Sequence, residues 1–203
     1  MRGLESCSGA VAVRLANPLA ECGFRCLGSA RFSRGSPEAT QLFHFRGRFE
    51  YRTSRLRFDC TVGVHHAQVE KLLRPERLDE TPATVACPIH SLRQDRRLVE
   101  WYLDEPSSVR HAMRDIRALA LPFLDRHVVR AHLRESLESE DPADWFMLDA
   151  DGRICVLAAL LFTEGDRERS FELLNATLHE RRGARPAGRW PLQQLRTRLA
   201  NLA

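Results

Sequence analysis

The stretch QLFHFRGRFEYRTSRLRFDCTVGVH, residues 41–65, decides how this chain folds. In its first half Phe43, Phe45 and Phe49 alternate with His44, Arg46, Arg48 and Glu50. In its second half Leu56, Phe58, Cys60, Val62 and Val64 alternate with Arg55, Arg57, Asp59, Thr61 and His65. Successive side chains of a β-strand point to opposite faces, so the two-residue period predicts strands over 41–51 and 55–65. Each strand has one apolar and one polar face, the mark of an antiparallel sheet with a core on one side and water on the other. The short turn around Thr53 and Ser54 suits a hairpin.

Upstream, residues 23–33 predict an earlier strand, and Gly35, Ser36 and Pro37 form a turn signal. Residues 4–21 read as an amphipathic helix with Leu4, Val11, Leu15 and Leu19 inward. Asn17 precedes Pro18, a position that disfavours helical backbone, so the last turn of that helix is expected to open. Downstream, residues 67–73 predict a short helix ended by Pro75, and residues 74–96 are charged and turn-rich with no clean period. A short strand is expected over 98–103. Ser107 or Ser108 can cap a helix running to about Leu121, with Val109, Met113, Ile116 and Ala120 as its apolar stripe. Pro122 is expected to break it, and a further helix to run over 124–137.

From residue 141 the chain reads as helical. Pro142 suits a helix first turn. Residues 154–163 and 167–181 make two helices joined by Glu164, Gly165 and Asp166, an αα-hairpin with no second copy at a fixed period. Residues 183–189 form a joint before a closing helix over 192–202. The expected architecture is α+β: a mainly antiparallel sheet of about four strands packed by helices on one side, with a helical C-terminal portion. Its expected division is an α+β sheet domain over 1–140 and a helical C-terminal extension over 141–203.

Composition narrows the class. A chain of 203 residues with 43% hydrophobic content can build a self-sufficient core without metal or disulfides. The net charge is +4, and Lys71 is the one lysine among 31 basic residues. Arginine makes forked contacts with carboxylate and phosphate, so this bias suits an anionic partner, although codon bias produces the same composition. The 27 acidic residues are interspersed, a balance too mild for a dedicated nucleic-acid binder. Six cysteines lie scattered in apolar contexts, no secretory apolar region opens the chain, and the longest apolar run, 154–162, is half a membrane span. A reducing cytoplasm, with no membrane partner, is the expected location.

The common catalytic signatures fail. Lys71 has no glycine loop before it, and neither G-x-G-x-x-G, G-x-S-x-G nor H-E-x-x-H occurs. Cys22, Cys26, His65, His66, Cys87 and His90 contain zinc-ligand types, but Cys26 and Cys60 fall on apolar strand positions, so buried thiols explain them better than metal. Cys87 with His90 or His65 lacks an orienting third group. Arg167 and Arg169 open the second helix of the αα-hairpin, but Glu168, Glu172 and Glu180 on the same helix would repel DNA phosphates. No catalytic residue, metal ligand or cofactor is assigned.

The polar sheet face is the candidate site. His44, Arg46, Arg48, Arg55, Arg57 and His65 share it by parity, joined by Arg25 and Arg31. A flat basic platform suits a carboxylate-rich protein or a phosphate backbone, although it lacks the exposed aromatics on which single-stranded bases stack. A plain solvated face with Asp59 and Glu50 as partners, or a face covered by a helix, explains the same residues. The competing class is a small hydrolytic or nucleotide-processing enzyme with His44, His65 and Cys87 in one cleft. A third is a structural scaffold that uses the helical hairpin.

One resemblance adds to this reading. The order of helix and strand meander, the run Phe58-Asp59-Cys60-Thr61-Val62-Gly63-Val64, the segment Cys87-Pro88-Ile89-His90 with Arg93, and Trp101 before a helix ending Leu121-Pro122-Phe123-Leu124 resemble a family of uncharacterised bacterial α/β domains. The resemblance covers about residues 5–130. Some members lie beside polymorphic-toxin genes and are suspected immunity proteins. It implies the fold more than the function and transfers no site residue. With the arginine-bearing face it gives the expectation of a non-catalytic bacterial binding protein that meets an acidic protein partner such as a toxin.

Overall fold

The computed structural model describes residues 2–28, 30–35, 38–77, 82–97, 100–141, 146–181 and 186–203. It forms two compact units, Met1–Val64 with Ala86–His127, and His65–Val85 with Val128–Ala203. The expected division fell at 140/141. By packing, residues 65–85 and 128–140 belong with the C-terminal helices.

The first unit opens with α1 (Arg2–Ala20), which keeps Pro18 inside its last turn rather than opening there. The 23–33 segment is not one strand. It is two, β1 (Arg25–Gly28) and β2 (Arg31–Gly35), paired antiparallel. Gly28 at φ +94° and Ala30 at φ +59° reverse the chain between them, because left-handed backbone turns a strand that extended backbone would continue. β3 (Ala39–Glu50) and β4 (Arg55–His66) follow the two-residue period of the sequence. β5 (Val85–Pro88) lies inside the segment that shows no period, and β6 (Trp101–Tyr102) is the core of the expected 98–103 strand, residues 98 and 99 lying outside the described residues. The sheet order is β1-β2-β3-β4-β5, with β6 paired antiparallel to β4.

α1 lies on β3 through Val11, Leu15 and Leu19, all fully buried. At Gly47 the approach is close: an added Cβ would meet the backbone of Cys7 at 2.9 Å, so the position admits only hydrogen. Beneath α1 the aromatic rings form a chain. Centroids lie 4.7 Å apart for Phe24–Phe43, 5.9 Å for Phe43–Phe45, 6.4 Å for Phe45–Phe58 and 5.6 Å for Phe58–Trp101. Three of these contacts are tilted and Phe43–Phe45 is stacked, arrangements that add to area burial because ring edges and faces carry opposite partial charge.

Pro122 does not end the third helix. α3 (Pro106–Asp115) passes through a π segment (Ile116–Ala120) into α4 (Leu121–His127) without interruption. Proline has no N–H to give the carbonyl four residues back, and the widened turn changes the pairing locally: the Leu121 N–H donates to the Ile116 carbonyl, five residues back. Asp125 of α4 then accepts from Arg34 at 2.6 Å and from the buried Gln41 side chain at 2.9 Å, tying the helix to β2 and β3. The Arg34 guanidinium also donates to the Cys22 carbonyl at 2.9 Å and stands over the Phe24 ring.

The second unit holds α2 (Ala67–Leu73), α5 (Arg130–Glu138), α6 (Ala150–Thr163), α7 (Arg167–Glu180) and α8 (Pro186–Ala200). The αα-hairpin is α6 and α7. Gly165 at φ +89° closes α6, Asp166 caps α7, and the Ser170 hydroxyl donates to the Ala158 carbonyl at 2.8 Å between them. Its core gathers Ile154, Cys155, Ala158, Leu174, Leu192, Leu195 and Leu199. The helix start expected at Pro142 lies outside the described residues. Among the described residues no helix is long and apolar enough to cross a membrane.

Candidate binding surface

Strand register builds the polar face. Arg31 pairs with His44 and Arg25 with Ser33, while Arg57 pairs with Tyr102 and Phe58 with Trp101. Cross-strand partners share a face, so the Phe58 side joins the aromatic chain and the Arg57 side joins the charged row. His44, Arg46 and Arg48 are exposed, and Arg55 and Arg57 are half-buried.

Most of these guanidiniums already have carboxylates. Arg46 Nε donates to Asp59 Oδ1 at 3.0 Å, directly across the hairpin. Arg57 pairs with Glu100, and Arg55 with Glu105 and, at 3.4 Å, with Asp104. The Arg55 guanidinium also lies 3.7 Å from the centre of the Tyr102 ring, a cation–π contact on the same face. The row is therefore a charge lattice rather than a bare basic platform. His44 feels its basic neighbours: partial burial, then Arg31 and Arg46, hold its imidazole below the ordinary 6.5, with Asp59 opposing. Arg48 has no ion pair among the described residues.

His65, the sixth residue of the expected face, belongs to the second unit, where its Nδ1 lies 2.7 Å from the Pro82 carbonyl oxygen. Nearby in that unit Glu70 is buried beside Arg74, whose guanidinium bonds it at 2.9 Å. Burial raises the Glu70 carboxyl above its ordinary 4.5, against the lowering pull of Arg74, the Thr84 hydroxyl and His65.

Cys60, Cys87 and Cys155 are placed for packing, whereas Cys26, expected inward, is exposed because its short strand β1 is exposed along its length, and Cys7 and Cys22 are half-buried. Cys60 and Cys87 are buried in the first unit, and burial pushes Cys87 up to about 12 and Cys60 well above the usual thiol range. A thiol held protonated at neutral pH is a poor nucleophile. Cys60 shares the Phe58 side of β4 by parity, whereas His44 projects from the opposite side of the sheet. In the second unit burial likewise pushes Cys155 up to about 12. Among the described residues no group of three or more His, Cys, Asp or Glu side chains is placed to hold a metal ion.

The sequence reading missed the hairpin tip. Phe49 was expected inward with Phe43 and Phe45, yet it is 45% exposed, and Tyr51 is 87% exposed. Their rings meet edge to face at 5.2 Å. The turn beyond them is organised locally: the Thr53 hydroxyl donates to Glu50 at 2.7 Å, and Ser54 takes φ +53°. The available signal was position. Phe49 and Tyr51 continue the odd-numbered face into the turn, where a two-stranded ribbon outruns its core.

No family model matches this chain, and neither a curated protein nor a solved structure matches it.

Proposed function

We propose that this chain is a non-catalytic bacterial binding protein of the cytoplasm, an immunity protein that neutralises a toxin by covering an acidic surface on it. The observation that carries this reading is the solvent-facing row of His44, Arg46, Arg48, Arg55 and Arg57 on one side of the sheet, with α1 packed on β3 through the other side's apolar residues. Charged rows of this kind steer encounter and select partners even where each ion pair adds little net affinity. The intramolecular carboxylates fit the same role, since they hold the guanidiniums in one geometry before the partner arrives. The resemblance to bacterial domains found beside polymorphic-toxin genes supports the same reading. The hydrolytic alternative has nothing here to favour it, because Cys87 is buried with a raised pKa.

The test begins with the genes that flank this chain's own, where a secreted, growth-inhibiting product that binds the chain is expected. Co-expression is expected to restore growth, and Arg46→Glu with Arg48→Glu is expected to weaken binding at least tenfold and flatten its salt dependence. Equal affinity of the double variant, or no binding of wild type to that neighbour, discards the reading.

A further inference from the structure

The arginines of the sheet face divide into two kinds. Arg46, Arg55 and Arg57 spend their charge on Asp59, Asp104, Glu105 and Glu100 of the same unit. Arg48, near the end of β3, and Arg52, within the β3–β4 turn, are exposed and have no ion pair among the described residues. The two exposed aromatics, Phe49 and Tyr51, stand between them. An apolar pair this exposed contributes little to the fold, and folding gives no reason to keep aromatic rings beside uncompensated guanidiniums.

We propose that this tip is the anchor of the contact, with Tyr51 and Phe49 inserting into a concave cleft on a protein partner whose rim carries carboxylates for Arg48 and Arg52. The proposal rests on the binding reading above and moves its energetic centre from the lattice to the turn. Tyrosine and arginine dominate the few interface positions that carry most binding energy, because each brings large contact area with a polar end. The turn is already organised by the Glu50–Thr53 bond, which lowers the ordering cost of docking. A protein cleft fits better than a nucleic-acid strand, since Glu50 lies between the two arginines and the rings contact each other edge to face rather than offering a row of open stacking faces.

The test is photo-crosslinking in the native cells, with benzoylphenylalanine replacing Tyr51 in one strain and His44 in another, the full chain being used throughout. The expected result is a discrete adduct from position 51, mapped by mass spectrometry to a cleft bearing at least two carboxylates. Its yield should fall at least tenfold when Arg48→Glu and Arg52→Glu are added. Thermal midpoints of the variants, unchanged within a few degrees, confirm that they are folded. An adduct from position 44 without one from position 51 overturns the tip and keeps the face. Adducts from neither position overturn both. An RNA adduct from position 51, or one indifferent to the two reversals, also overturns the proposal.

Discussion

The β3–β4 hairpin has two sides built on different principles. On one, Phe43, Phe45, Gly47 and Phe58 are fixed by shape: rings touch rings, and α1 passes so close that only a glycine fits. On the other, Arg46, Arg55 and Arg57 are fixed by charge, each to a half-exposed or exposed carboxylate. Shape is intolerant, because interiors are packed as densely as organic crystals and a misfit has nowhere to go. Charge pairing near water is tolerant, because solvent replaces a lost partner. The inner side should therefore hold the fold together, leaving the outer side free for evolution to spend on recognition.

The largest effect that could break this contrast is Phe45→Ala. Phe45 is fully buried and contacts Phe32, Phe43 and Phe58, so truncation should cost about 3–5 kcal/mol in a denaturant titration. A cost below about 1 kcal/mol would mean that the aromatic chain does not carry the core. Next comes Gly47→Ala. The new methyl would meet the Cys7 backbone at 2.9 Å, and because backbone cannot swing aside like a side-chain tip, α1 must lift. A loss of about 1–3 kcal/mol is expected, with weakened protection of α1 amides in hydrogen exchange.

How much of this was legible in the sequence follows from the same contrast. Periodic burial writes itself into residue order, so β3, β4 and the αα-hairpin could be read from alternation and from Gly165 between two apolar runs. Elements made by tertiary context could not. β5 is four residues in a charged segment and exists because β4 offers an edge. The π segment reconciles Pro122 with a helix whose neighbours keep it helical, where a local rule breaks the helix. For the candidate surface, parity located the face; the register gives the side of His44 and Arg57, and the alternating exposure of β3 puts Arg46 with His44. It could not supply the carboxylates, since Glu100, Asp104 and Glu105 come from another part of the chain. Nor could it show that Phe49 leaves the core, because alternation records the side a residue faces and not where the opposing layer ends.

A smaller effect sharpens the outer side. In a double-mutant cycle on Arg57→Ala and Glu100→Ala, the coupling should be about 0.2–1 kcal/mol, because both side chains are about one-third exposed and solvent screens the pair. Coupling above about 2 kcal/mol would make the lattice structural in its own right and erode the distinction between the two sides.

The smallest expected effect is a pH dependence at His44. Its folded pKa lies below the ordinary 6.5, first through partial burial and then through Arg31 and Arg46. The unfolded chain therefore takes up the proton first as pH falls. Protonation favours the unfolded state, so this residue's contribution is present above the unfolded value, is lost as pH drops from about 6.5 toward the folded value, and then levels off. His44→Asn has no proton to gain and should flatten that part of the thermal-midpoint profile while leaving the midpoint above pH 7 nearly unchanged. If the variant instead kept the full decline between neutral and mildly acid pH, the basic crowding around His44 would not be felt by its imidazole. The outer side would then be a set of separate ion pairs, each able to accept a partner's carboxylate without disturbing the next.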